Sequence, residues 1–261
     1  MCAQIIGQAQ GPAPTRFQCE MLPAKYMSRL KDLKKIGNLR LAEKPVIVVP
    51  LTDNGIKSIT DVRPASVIEL RIDMFSDLSE NYIVAAVIEA KSKFNLPVIA
   101  TCRAFEEGGA VKISDTRRIE IFSVAAICAD AVDVELNSSI FQDVLKTANQ
   151  REIPLIASFH DFTKTPPLDV LESMLQKSVT SGADITKIAL MANTTDDVAL
   201  LADFTIKHRE SGIVCIAMGK IGMASRVFFP LIGSLFTFAS IETSTAPGQL
   251  SVKEMARFYD F

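Results

Sequence analysis

Residues 131–190 read AVDVELNSSIFQDVLKTANQREIPLIASFHDFTKTPPLDVLESMLQKSVTSGADITKIAL. Three short β-rich runs, at 131–136, 154–159 and 184–190, alternate there with helical patterns at 140–151 and 168–181, and Glu152-Ile-Pro154 is a turn signal closing the first helix. Working outward, the same alternation continues. Further β-rich runs lie at 46–51, 66–72 and 97–103 upstream and at 212–218 and 234–239 downstream, with helical patterns at 81–94, 116–128 and 195–211. Eight strands alternating with helices in a chain of 261 residues predict an α/β fold, a (β/α)8 TIM barrel forming a single domain over 45–261. A doubly wound sheet would prefer fewer strands and a glycine-rich first turn, and no Gly-x-Gly-x-x-Gly occurs. Residues 1–44 precede the barrel as an N-terminal extension. Its residues 36–44 are expected to form a strand or hairpin capping the barrel bottom, and the first 20 or so to be mobile.

Composition fits that reading and narrows the function. Hydrophobic residues make up 48% and mean hydropathy is +0.24, as suits strands covered on both faces. No apolar run approaches the length of about 20 residues that a membrane span needs. The net charge of −2 leaves no basic footprint for nucleic acid. Residues 1–40 are the exception, with seven Lys/Arg against two acids. Met21 to Lys35 lacks the serine and arginine richness of a transit peptide and reads as a solvated helix. Five cysteines, an odd number with no Cys-x-x-Cys pair, argue for a reducing compartment, so a soluble cytoplasmic protein is expected.

Within the strands, several residues are of the wrong type for a packed core. Lys187 sits in Ala-Asp-Ile-Thr-Lys-Ile-Ala-Leu, and a buried ammonium must be either paired or kept neutral as an amine. A neutral amine is a nucleophile towards ketones. One strand earlier, His160 ends another apolar run, and lysine beside histidine suggests Schiff-base chemistry with proton transfer. The second strand carries Glu69, Arg71 and Asp73 at period two, which places them on one face. A closed barrel has no wet edge, so that face points inward. Arg103, Asp133 and Glu135 repeat the pattern on the next strands. A lone Glu–Arg pair is more often structural, but jointly these residues describe a charged cavity with forked donors for an anionic, polyhydroxylated ligand. Two histidines with no matching cysteine spacing make no zinc motif, and the adjacent arginines disfavour magnesium at the carboxylates. No metal and no cofactor are expected.

Taken together, Glu-Leu-Arg-Ile-Asp (69–73), Thr-Cys-Arg (101–103), Glu107-Gly-Gly, Val-Asp-Val-Glu-Leu (132–136), Ser-Phe-His-Asp-Phe (158–162), Thr-Lys-Ile-Ala (186–189), Gly-Met-Ala-Ser-Arg (222–226) and Ala-Pro-Gly-Gln (246–249) resemble the type I 3-dehydroquinate dehydratase family. The resemblance runs from about Pro45 to Phe261. It implies that Lys187 forms an imine with the ring ketone of 3-dehydroquinate. His160 is then the general acid and base for syn loss of water to 3-dehydroshikimate, and Glu107 orients the histidine. It further implies that Arg226 pairs with the substrate carboxylate and that Glu69, Arg71, Arg103 and Gln249 bind hydroxyls or carboxylate oxygens. Met218 and Phe238 form apolar walls, and Thr245 stands in the lid loop where many relatives have serine. The glycines beside Glu107 suggest a mobile loop. The partner is the small-molecule substrate, and the resemblance implies a homodimer. The competing enzyme reading is a class I Schiff-base aldolase on the same barrel; His160 beside the lysine and the Glu-x-Arg-x-Asp strand tip the choice to dehydration.

Overall fold

The chain enters the fold through an antiparallel hairpin, β1 Lys35–Ile36 and β2 Leu39–Arg40, turned by Gly37 at φ +57°. The computed structural model describes residues 35–41, 43–241 and 246–259; the mobile first 20 residues and the basic helix expected before Lys35 lie outside them. Eight parallel strands follow: β3 Ile47–Leu51, β4 Val67–Arg71, β5 Val98–Thr101, β6 Ala131–Glu135, β7 Leu155–Asp161, β8 Ile185–Met191, β9 Ile213–Met218 and β10 Thr237–Phe238. They form one sheet in the order β10-β3-β4-β5-β6-β7-β8-β9, rolled into a nearly closed barrel. The helices alternating with them are α1 Asp53–Ser58, α2 Glu80–Phe94, α3 Asp115–Ala125, α4 Phe141–Gln150, α5 Leu168–Thr180 and α6 Thr195–His208, then α7 Gly219–Gly222, α8 Ser225–Ile232 and α9 Val252–Met255.

Local sequence sets the helix ends. Thr194 and Asp197 form a reciprocal capping box at the start of α6, which satisfies two donors that have no partner within the helix. Ser114 accepts from the Arg117 amide at the start of α3, and Asn95 takes the left-handed conformation that stops α2.

The alternation of side chains along each strand separates an inner core from outer ones, the outer side holding two clusters, one of them around Ile188, Leu190 and Phe204. Outward residues such as Ile68, Leu70 and Ile72 pack under the helices. Inward residues Val48, Val67, Ile99, Ile156 and Ile185 fill the lower barrel, and Ile36 and Leu41 from the hairpin join that same cluster. Burying an aliphatic side chain this completely stabilises by about 1.5–3 kcal/mol, so the hairpin contributes to closing the bottom. It occupies 35–40 rather than 36–44.

Strand bounds differ from the sequence reading where side chains or ladders intervene. β5 stops at Thr101 because the Arg103 amide donates to the Asp73 carboxylate at 3.2 Å instead of to a strand. β7 runs on to Asp161 because its ladder with β8 continues through His160↔Ala189 and Asp161↔Leu190. The seam between β9 and β10 is closed by Leu235 N–H to the Ile213 carbonyl at 2.9 Å and by Cys215 N–H to Ser234 Oγ at 3.1 Å. α8 contains Pro230, which hid it from a reading by helical pattern.

Candidate active site

Above the apolar floor, the inward positions of β4 to β8 become polar: Glu69, Thr101, Asp133, Ser158 and Lys187 are all buried. The register places Ser158 beside Lys187 and Thr101 beside Asp133, so they line the interior at adjoining heights. Lys187 Nζ donates to Asp133 Oδ2 at 2.9 Å, stands 3.6 Å from Glu69 Oε1 and lies 4.2 Å from the centre of the Phe238 ring. Of the two arrangements open to a buried lysine, the structure shows pairing. Two carboxylates and an aromatic face meet the desolvation cost of the ammonium. Burial works to raise the Asp133 carboxyl, but Arg103 and Lys187 outweigh it and hold it well below the usual range.

Arg103 is the hub of the interior. Its Nη2 donates to Asp133 at 2.7 Å, and its Nη1 donates to Glu135 at 2.9 Å and to Ser158 Oγ at 2.6 Å. Burial alone would weaken the guanidinium; Asp133 and Glu135 reverse that and strengthen it as a cation. Arg71 reaches Asp73 through two hydrogen bonds of 2.9 and 2.8 Å, the forked geometry that guanidinium and carboxylate share.

His160 projects from the end of β7 with its Nδ1 3.0 Å from Glu107 Oε2. The same oxygen accepts the His160 backbone N–H at 2.9 Å. Burial, with Arg103 and Lys187 nearby, pushes the imidazole well below its ordinary value, so the ring is neutral at physiological pH. With Nδ1–H donated to Glu107, the lone pair is left on Nε2. Burial also pushes the Glu107 carboxyl up to about 7, against the pull of Arg103.

The loop carrying Glu107 is pinned. Ala110 N–H bonds to Asp73 at 3.0 Å, Ala104 N–H bonds to Glu135 at 2.9 Å, and Arg71 donates to the Gly108 carbonyl at 3.1 Å. The glycines therefore serve close approach more than motion. A Cβ on Gly108 would meet the Phe162 ring at 2.9 Å, and one on Gly109 would meet the Arg103 carbonyl at 2.4 Å.

A sign follows for stability. A carboxyl of value 4.5 when unfolded and about 7 when folded makes the native state lose stability as pH rises from about 4.5 through 7. Glu107→Gln is therefore expected to match the wild type at pH 4.5 and to exceed it at pH 8 by up to roughly 3 kcal/mol. Urea unfolding at the two pH values reads this; an equal difference at both would show that Glu107 is not strained by its charge.

Lining the same pocket, Arg226 on α8 is buried to 2% exposure and, among the described residues, its Nε has no hydrogen-bond partner. Its Nη2 donates to the Pro247 carbonyl at 3.0 Å, and burial pulls it down to about 10, so at neutral pH it is a cation. Gly219 N–H also donates to that carbonyl, at 3.2 Å, and Gly248, at φ +71° with its Cβ position 2.3 Å from the Gly219 carbonyl, lets the 246–249 loop press on the start of α7.

One pocket of about 540 Å³, its open mouth included, is lined by Lys187, His160, Glu107, Glu69, Arg71 and Arg103. Met218, Phe238, Arg226 and Gln249 line it too, whereas Thr245 lies outside the described residues. Apolar walls with a few convergent charged groups suit a small polar ligand. The candidate list drawn from sequence left out Thr101, which donates to Glu69 at 2.9 Å, Ser158, which donates to Asp133 at 2.7 Å, and Arg118. A signal for the last existed: Arg118, Ile121, Phe122 and Ala125 form the buried face of α3, so a cation begins an otherwise apolar stripe at i, i+3, i+4, i+7.

Residues 46–261 match the family model described as type I 3-dehydroquinase. A 3-dehydroquinate dehydratase of Thermodesulfovibrio yellowstonii is 36% identical over 218 residues, covering 82% of this chain and 94% of the relative. The type I 3-dehydroquinate dehydratase of Clostridium difficile, solved with covalently modified comenic acid, superposes with a TM-score of 0.78 at 28% identity over 86% of this chain and 94% of that one. The Aquifex aeolicus enzyme gives 0.72 at 33% identity, over 83% and 100%. By sequence, by barrel and by the extent of both alignments, the chain belongs to the type I 3-dehydroquinase family.

Proposed function

We propose that the protein is a 3-dehydroquinate dehydratase, a hydro-lyase acting through a Schiff base on Lys187. The observation that carries this reading is a buried lysine and a neutral, carboxylate-oriented histidine lining one pocket, together with a buried arginine whose Nε has no hydrogen-bond partner among the described residues. The lysine amine condenses with the ring ketone, forming a C=N bond and releasing water. The protonated imine then draws in the electron pair left when His160 removes a proton from the adjacent carbon. That pair expels the hydroxyl, which leaves as water with the proton His160 had taken. Hydrolysis returns the lysine and frees the conjugated ketone.

Arg226 fits the substrate carboxylate for a physical reason: a desolvated cation is stabilised most by a ligand that brings the missing charge. The C. difficile relative was solved with covalently modified comenic acid, which supports covalent chemistry as the reading for this chain. The proposal extends to a homodimer in the cytoplasm; sedimentation analysis reads the first. No helix of the described residues is long and apolar enough to cross a membrane.

Incubation with 3-dehydroquinate should produce the absorbance of a conjugated enone acid, and its absence at any enzyme concentration would reject the activity. Arg226→Gln is expected to lower kcat/KM about 10²-fold, the value of a charge-assisted bond in a dry site, while borohydride trapping at saturating substrate persists. A kcat/KM within threefold of the wild type would remove Arg226 from the carboxylate.

A further inference from the structure

Arg118 is not in the pocket. It rises from the first turn of α3, outside the barrel wall, and is buried to 3% exposure. Its Nε and Nη2 donate to the Cys102 carbonyl at 3.1 and 2.9 Å, and Nη2 also bonds to Glu135 Oε2. Nη1 reaches Ser138 Oγ at 3.3 Å. The other Glu135 oxygen takes Arg103 and the Ala104 amide, both at 2.9 Å. Side chains thus run in unbroken contact from the outer helix to the reactive amine: Arg118 to Glu135, Glu135 to Arg103, Arg103 to Asp133, Asp133 to Lys187.

The signs alternate along this row, and with Glu69 beside Lys187 the three cations meet three buried carboxylates; the exposed Asp115 stands 3.9 Å from Arg118 as a fourth. We propose that Arg118 is a positioning residue for Lys187: by holding the charge of Glu135 it leaves Arg103 to Asp133, and so keeps the lysine amine from being over-bound as an ammonium by surplus negative charge. This rests on the Schiff-base reading, because only a lysine that must shed its proton to react is sensitive to that surplus. Without Arg118, Glu135 competes for Arg103, and Asp133 is left to draw its compensation from Lys187 alone.

Every charged group facing the amine bears on the test. Asp133 from β6 and Glu69 from β4 touch it. Arg103 and Glu135 lie one and two contacts beyond. His160 from β7, with Arg71, Glu107 and Arg226, completes the charged lining of the pocket, and Asp73 stands behind Arg71.

The experiment measures the rate of borohydride trapping of 3-dehydroquinate on the full-length protein across pH 5–10. In Arg118→Met the midpoint of the pH dependence should move up by about one pH unit, the effect of one uncompensated carboxylate acting through a partly screened interior. Trapping at pH 7 then falls about tenfold and recovers at high pH. The double variant Arg118→Met/Glu135→Gln removes both charges and should return the midpoint to the wild-type value, as should Arg118→Lys, which keeps the charge.

A uniform loss of rate at all pH values, or a double variant as displaced as the single one, would overturn the proposal. Should Arg118→Met fail to fold, the other two variants decide alone: a midpoint displaced in either refutes the charge-balance role. Failure of the wild type to be trapped at all would instead reject the Schiff-base reading itself.

Discussion

Lys187→Ala folds, binds and does not turn over: the expected loss is about 10⁵-fold or more, and borohydride with 3-dehydroquinate leaves the protein at its unmodified mass. The size follows from what is removed. A residue that bonds to the substrate cannot be replaced by its neighbours, and what survives in such variants is the modest contribution of binding and of the remaining polar groups. Folding survives because Asp133 keeps Arg103 at 2.7 Å and Ser158 at 2.7 Å, and Glu69, which loses its cation, keeps the Thr101 hydroxyl at 2.9 Å. The cavity left beside Phe238 still lowers stability by a few kcal/mol, and thermal unfolding of both proteins checks that. A substrate-mass adduct persisting in the variant would move the covalent chemistry to another residue.

His160→Ala separates the two halves of the reaction. The lysine is intact, so trapping of the substrate should continue, while turnover falls by about 10²–10⁴-fold, the usual contribution of a positioned acid and base. The trapped species should carry the mass of substrate rather than of dehydrated product, since elimination has become the slow step. The histidine suits this task because burial beside Arg103 and Lys187 keeps it neutral, while the Glu107 carboxyl, 3.0 Å from Nδ1, orients the ring. Near-normal turnover in this variant would exclude His160 as the proton carrier.

These two residues stand out in the sequence because each breaks a rule of its element. A lysine and a histidine on apolar parallel strands have no packing explanation, and the alternation of strands with helices told where on a barrel such residues must gather. Asp133 and Glu135 were visible in the same way, as charges spaced by two on one strand, though their partners were not. Arg118 escaped because a helix near the surface carries many arginines, and only its place on the apolar stripe distinguished it from Arg117 next to it, which reaches Glu120 and the solvent.

Read alone, the order of residues determined the barrel, the inward face of each strand and the identity of the unusual groups, since periodicity and polarity are local properties of a chain. Tertiary structure decided which charge neutralises which. That Lys187 is paired with Asp133 and not simply desolvated, that Glu135 is shared by arginines from a strand and from a helix, and that Arg226 keeps an unsatisfied Nε among the described residues are facts about groups far apart in sequence. Electrostatic energy depends on separation in space and on exclusion of water, and neither quantity exists until the barrel has closed.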